Sequence, residues 1–391
     1  MTFEFRQRLA KTTPKPDSPL DSGSSPPEEY RDPSGDWPSF LPDSEEGQWL
    51  PDILGPDYSY TTLPLPPDED GDVRATLVRY RPASTGAAGP TPARAGFWRR
   101  LAGRPGPGAE PPRARGFVLY LHGWSDYYYN TALAEYWNAR GYHFYAVDLR
   151  RYGRSLRAGE APGYVSDLTD YDADLKAALD ALAADAGEFD ERICVAHSTG
   201  GLIATLWAER HPGIFTALVL NSPWLELQGS HLVRYAATGV LDPVARLRPK
   251  AKLRLPEADQ YWQTLSRLGH GTWDLHPVWR PQISFPVTAG WLRAVMAGHA
   301  KVAHGLNLRI PVLVLTSART HLSPVFDQQM LFNDAVIEVE VVRERSLGIG
   351  TEVTNAKLIG AMHDVFTSGP EPRAAAFAAI DRWSTGYLNG K

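Results

Sequence analysis

The sequence predicts an α/β fold: a mostly parallel sheet flanked by helices, with a cap inserted in the second half. Three observations carry this. Short, continuous apolar runs alternate with amphipathic helical stretches, the pattern of buried parallel strands covered on both faces. The alternation stops between Trp224 and about Leu306, then resumes. And at 193–204, "ICVAHSTGGLIA", an apolar run turns into a helical pattern with almost no loop between them.

Residues 1–50 are rich in Pro, Ser, Asp and Glu and read as a disordered arm, with Trp37, Phe40 and Trp49 able to dock locally. The first core part spans 51–223. It opens with two strands, "YSYTTLPLP" and "VRATLVRYRP", joined by the turn "PDEDGD". The Gly-, Pro- and Ala-rich stretch 84–115 reads as a flexible insertion, and its "FWRRLAGR" as a solvated loop. Then come a strand at "GFVLYLHG", a helix at "TALAEYWNARG" and a strand at "YHFYAVDLR". A helix at 167–187 carries acidic residues in its first turns, which suits the helix dipole. The strand "RICVA" runs into a helix that reaches about Arg210, and "FTALVLNSP" is the next strand. The cap spans 224–306, over the strand ends where open α/β sheets bind ligands. The second core part, 307–391, holds the strands "IPVLVLTS" and "TEVTNAKLIG" and a final helix from Glu371.

Bulk properties narrow the function. A formal net charge of −5 over 391 residues argues against general nucleic-acid binding. The single cysteine, Cys194, excludes a disulfide scaffold and reads as a buried small residue. No apolar run reaches the roughly 18 residues of a membrane span, and the N-terminus lacks a signal-peptide pattern. The expectation is a cytoplasmic protein without stable membrane insertion. The cap histidines 270, 276, 299 and 304 lack metal-ligand spacing, so no metal is expected.

The tight turn at Ser198 has the pattern of a nucleophile elbow, G-x-S-x-G, here A-H-S-T-G with Ala196 in the first position. A serine at such an apex is strained and points outward. His363, in "GAMHDVFTS" after the last strand, is the candidate base. Oxyanion donors are expected at the backbone N–H of Thr199 and of Trp124, which follows His122-Gly123. The acid is less plain. After "PVLVLTSA" stands Arg319, whose charge has the wrong sign to stabilise an imidazolium. Asp334 stands just before a helix starting near Val339, about thirty residues ahead of His363, in a run that resembles the D-x-V-V-x-V in which sequences of this chemistry commonly place the acid; on that resemblance 318–333 reads as an insertion and Asp334 as the acid. Asp327, Glu338 and Glu226 are its rivals. The order Ser198, Asp334, His363 is the Ser…Asp…His order.

The motifs "YLHGWSDY", "VDLRRYGRS", "VAHSTGG", "DAVIEV" and "GAMHD" resemble the α/β-hydrolase superfamily, in particular its monoacylglycerol lipase and serine aminopeptidase-like (S33-type) branch. The resemblance covers about 58–83 and 116–391. Arg151 stands where that branch usually has Gly. The resemblance implies cofactor-free hydrolysis of carboxylic esters through an acyl-enzyme. Aromatic residues in the cap suit a lipophilic, monoacylglycerol- or lysophospholipid-like small-molecule ester, with Tyr127, Tyr128 and Trp224 as candidate substrate contacts. Two alternatives stay open. One is an S33-type peptidase, with Glu257 and Asp259 holding a substrate amine; the other is a non-catalytic binding protein on the same fold.

Overall fold

The computed structural model describes residues 37–82, 114–227, 239, 241–256 and 258–388. Most of the expected arm (1–36), nearly all of the 84–115 insertion and part of the cap (228–238, 240 and 257) lie outside them.

Nine strands form one sheet. They are β1 (Leu50–Asp52), β2 (Gly55–Asp68), β3 (Gly71–Tyr80), β4 (Gly116–Leu121), β5 (Tyr142–Asp148), β6 (Glu191–His197), β7 (Ala217–Asn221), β8 (Val312–Ser317) and β9 (Val353–Leu358). Their order is β1-β2-β3-β5-β4-β6-β7-β8-β9. The first three strands pair antiparallel, β3 also pairs antiparallel with β5, and the rest are parallel. Strand order reverses about β4, which is flanked by β5 and β6. The helices that follow β4 and β6 therefore pack on opposite faces of the sheet, the arrangement at which open α/β sheets bind ligands beyond the strand C-termini.

The strands read as continuous apolar runs because both faces are covered. Leu119, Leu121, Cys194, Ala196, Leu218 and Leu220 face one cluster. Val118, Tyr120, Ile193, Val195, Ala217 and Val219 face the other. The first cluster is closed by α2 (Tyr171–Ala186), α3 (Thr199–Arg210), α6 (Ala289–Ala303) and α7 (Val339–Ser346). The second is closed by α1 (Thr131–Asn138) and α8 (Pro370–Tyr387). Cys194 is fully buried, and burial pushes its thiol pKa up.

Two further helices, α4 (Leu241–Leu247) and α5 (Gln260–Leu265), lie in the range expected for the cap. Helix α6 lies in that range too, but it packs along α3. A Cβ on its Gly298 would meet Leu168, Leu206 and Leu202 within 3.5 Å, so the two helices approach closely. Among the described residues no helix is long and apolar enough to cross a membrane.

Residues 37–49 form the part of the arm for which local docking through Trp37, Phe40 and Trp49 is expected, and they lie against the body. Trp37 stacks on His276, Trp279 Nε1–H donates to Ser39 O at 3.0 Å, and Tyr60 O–H donates to Pro42 O at 2.9 Å. Trp49 lies under Arg79, 4.1 Å from its guanidinium carbon. The segment has few apolar residues, but these few insert between elements, and hydrogen bonds to its carbonyls add to the binding. Arg154 then pins β1. Its guanidinium bonds both Asp52 oxygens (2.5 and 2.9 Å) and Asp148 Oδ2 (2.7 Å), with all three side chains fully buried.

Candidate active site

The elbow begins with the chain reversal at Ser198. Its backbone sits at φ 52°, ψ −117°, in the left-handed half of φ space that non-glycine residues rarely occupy. Small neighbours make this possible. A Cβ on Gly200 would come within 2.3 Å of His122 O, and one on Gly201 within 2.6 Å of the Pro223 side chain. The strain is held by hydrogen bonds: Ser198 N–H donates to Asn221 O (3.0 Å), and Ser198 O accepts from Trp224 N–H (2.9 Å).

His363 Nε2 lies 3.0 Å from Ser198 Oγ, and His363 Nδ1 lies 2.9 Å from Asp334 Oδ2. Asp334 Oδ1 accepts the N–H groups of Val336 and Ile337, both at 2.8 Å. An acceptor-only carboxylate orients the imidazole with Nδ1–H toward Asp334 and leaves Nε2 free to accept the serine proton. Ser198, Asp334 and His363 are all buried, so little water competes for these bonds.

Asp334 arrives at the end of a long excursion after β8. Its N–H donates to Arg319 O at 2.9 Å, and its carbonyl accepts from His321 N–H at 2.7 Å. The three rivals are engaged elsewhere or differently placed. Asp327 pairs with His321 (2.6 Å), Glu226 pairs with Arg345, and Glu338 precedes the first residue of α7. Asp364 accepts from Asn221 Nδ2 at 2.6 Å.

Thr199 opens α3, so its N–H is among those a helix start leaves without an intrahelical partner. The loop after β4 reaches the same place: a Cβ on Gly123 would lie 3.1 Å from Ser198 Cβ. His122 shapes that loop. Its Nε2 accepts from Leu149 N–H (3.1 Å), which leaves Nδ1–H to donate to Gly123 O (2.7 Å).

Of the expected substrate contacts, Trp224 stands beside the serine through its N–H bond to Ser198 O. Its ring faces Trp291 (6.0 Å between centroids), and Trp291 in turn lies 3.8 Å from Trp124. Tyr127 and Tyr128 are not brought to the serine. Tyr127 is buried against Trp279 and accepts His276 N–H at 3.0 Å. Tyr128 is fully buried between Tyr120 and Phe144, and its O–H donates to Asn130 O. Both are core residues, packed in the cluster on the α1 and α8 face of the sheet.

Sequence reasoning missed several neighbours. Tyr261 places its ring edge-on to His363 (5.2 Å) and its O–H 3.5 Å from His197 Nε2. Burial lowers the pKa of His197. Arg280, from the cap range, forms a buried ion pair with Asp126 on the loop after β4 (2.5 Å) and faces the Tyr261 ring. An acid two residues beyond Trp124 and an arginine in the cap gave no pairing signal in sequence. The glycine substitution at 151 is accounted for: Arg151 adopts φ 61°, and its guanidinium is held by Asp68 (2.8 Å) and Asp70 (3.0 Å). Among the described residues no three His, Cys, Asp or Glu side chains converge as a metal site would require.

A nine-stranded mixed sheet with a strained serine at the β6–α3 turn and a histidine after the last strand defines an α/β-hydrolase. A profile of the family described as serine aminopeptidase, S33, matches residues 112–342, more than half of the chain, and the protein belongs to that family. The chain is 28% identical to a monoacylglycerol lipase of Mycolicibacterium smegmatis over 252 residues, covering 62% of this chain and 82% of that one. It is 39% identical to lysophospholipase L2 of Escherichia coli over 85 residues, which is 21% of this chain and only a quarter of that protein. Two solved structures share the fold. Monoacylglycerol lipase of Paleococcus ferrophilus has a TM-score of 0.51 and 21% identity, over 70% of this chain and 95% of that one. A soluble variant of monoglyceride lipase from Saccharomyces cerevisiae has a TM-score of 0.54 and 15% identity, over 83% and 97%.

Proposed function

We propose that the protein is a serine hydrolase of lipophilic carboxylic esters, with Ser198 as nucleophile, His363 as base and Asp334 as the orienting acid. The observation that carries this reading is the unbroken chain of contacts Ser198 Oγ–His363 Nε2–Asp334 at 3.0 and 2.9 Å. Ser198 Oγ attacks the ester carbonyl while His363 Nε2 takes its proton. The N–H groups of Thr199 and Trp124 stabilise the resulting oxyanion. The alcohol leaves with the proton from His363, giving an acyl-serine. Water, deprotonated by the same imidazole, then attacks the acyl carbon and releases the acid and Ser198.

Indoles flank this centre. Trp224 bonds Ser198 O through its N–H, Trp124 follows the Gly123 that lies against Ser198, and Trp291 bridges their rings. An aromatic wall suits an acyl group rather than a charged one. The similarity to a monoacylglycerol lipase and, over a short stretch, to a lysophospholipase supports a lipid-like small-molecule ester.

The peptidase alternative draws less support. Glu257 lies outside the described residues, and the Asp259 carboxylate is taken by Gln263 (2.9 Å) and Gln282 (2.8 Å). The test is turnover of p-nitrophenyl esters of increasing acyl length and of a monoacylglycerol, beside proline p-nitroanilide. Ester turnover abolished by Ser198→Ala, with no anilide turnover, is the expected result. Anilide turnover favours the peptidase, and no turnover of any substrate by folded protein favours a binding role.

A further inference from the structure

We propose that Asn221 is a positioning residue that holds His363 in reach of Ser198, acting through the residues that follow the histidine. The inference rests on the reading of Ser198 and His363 given above.

Asn221 is the last residue of β7 and fully buried. It touches both halves of the site at once. Its backbone carbonyl accepts Ser198 N–H at 3.0 Å and lies 3.2 Å from His197 Nδ1, so it bears on the elbow. Its side chain turns to the histidine loop. Nδ2 donates to Asp364 Oδ1 at 2.6 Å, and Oδ1 accepts Val365 N–H at 3.1 Å. One residue thus spans the nucleophile turn and the two positions directly after His363.

The chemistry of an amide suits this place. It faces a carboxylate, which only accepts, and a backbone N–H, which only donates. Asparagine supplies one donor and one acceptor on a short, stiff side chain. An aspartate of the same shape would set two buried carboxylates against each other. A leucine would leave the buried Val365 N–H without its acceptor and take from the Asp364 carboxylate its bond to the end of β7.

The histidine loop has further bonds of its own. Asp364 Oδ1 also accepts Phe366 N–H (3.0 Å), and Asp364 O accepts from Thr367 Oγ1 (3.0 Å) and Ser368 Oγ (3.2 Å). These stiffen the loop internally. They do not fix where the loop sits relative to the elbow, which is what the Asn221 amide does. The Ser198–His363 contact is a single 3.0 Å bond between separate chain segments, so a small shift of the loop breaks it.

The test uses the full chain, with p-nitrophenyl butyrate and a fluorophosphonate probe, on wild type, Asn221→Asp, Asn221→Ser and the pair Asn221→Asp/Asp364→Asn. Labelling of the wild type, absent in Ser198→Ala, first establishes the underlying reading; its absence would overturn that reading and this inference together. Given labelling, Asn221→Asp is expected to lower kcat by about 100-fold, the size of an ångström-scale misplacement, with KM changed less than about 2-fold. Adding Asp364→Asn places an amide donor opposite the new carboxylate, at the expense of the Phe366 N–H bond, and is expected to restore part of the lost kcat, at least about 5-fold over the single variant. A purely structural role would lower melting temperature without this kcat recovery. Retention of kcat within about 3-fold in Asn221→Asp overturns the inference, as does a folded double variant that stays as slow as the single one. If Asn221→Asp does not fold, Asn221→Ser carries the same comparison: a comparable loss of kcat at unchanged KM supports the inference, and wild-type kcat overturns it.

Discussion

The backbone N–H of Asp334 donates to the carbonyl oxygen of Arg319, 2.9 Å away, across a long excursion of the chain. This bond, with the pairing of Thr320 and Asp334, returns the chain to the end of β8. A carboxylate is thereby delivered beside the position where an arginine stands.

Asp334→Asn is expected to lower kcat by about 10,000-fold on a short ester, because an amide cannot hold the imidazole in its working tautomer. Asp327→Asn and Glu226→Gln should stay within about 3-fold of wild type, since both acids pair with partners outside the site. Steady-state kinetics on the three variants checks this. A larger loss in Asp327→Asn than in Asp334→Asn would reassign the acid.

Trp291 is 1% exposed, and its ring lies 3.8 Å from that of Trp124. Contact this close leaves no room for a chain between the two rings. Trp291→Leu should therefore shift the preferred acyl length upward, with kcat/KM on a decanoyl ester rising relative to that on a butyryl ester. An unchanged chain-length profile would place the acyl group elsewhere.

Arg154 neutralises two buried carboxylates, Asp52 and Asp148. Arg154→Met strands both, and breaking a buried pair by removing one partner costs about 3–5 kcal/mol. Urea unfolding should show a loss of that order. A loss below about 1 kcal/mol would mean that the network contributes little net stability.

His276 lies between Trp37 and Trp279 and is hydrogen-bonded as a neutral ring. Its Nδ1 accepts the N–H groups of Val278 and Trp279, both at 3.2 Å, and its Nε2–H donates to Pro38 O. Burial pushes its pKa down to about 4. In the unfolded chain a histidine binds its proton near pH 6.5. The unfolded state therefore holds more protons between those values. The stabilisation is complete above about pH 6.5 and declines as pH falls toward 4. Melting temperature should fall over that window, and His276→Phe should flatten the fall. An equal slope in the variant would assign the acid sensitivity to other groups, of which His299, also lowered to about 4 by burial, is the first to test.

Most of the fold was legible because it is written in local pattern. Runs such as Ile193 to Val195 and Val312 to Leu315 are apolar throughout, since each strand is covered on both faces. The elbow was legible because a Cβ at Gly200 would strike the His122 carbonyl and one at Gly201 the Pro223 ring. What escaped depends on partners distant in sequence. β1 has three residues and is held by Arg154, a hundred positions away, so no periodicity announces it. Tyr127 and Tyr128 look like pocket residues by composition, yet the turn after Trp124 carries them into the core. Asn221 reads as the polar end of a strand, and its role appears only when the histidine loop is folded back over it.

The proposed chemistry requires Ser198 to be an activated nucleophile. Intact-protein mass spectrometry after treatment with a fluorophosphonate tests it most directly. A single adduct on wild-type protein, mapped to Ser198, and none on Ser198→Ala is the expected result. Folded wild type that takes up no label, or a variant that takes up as much, would contradict it.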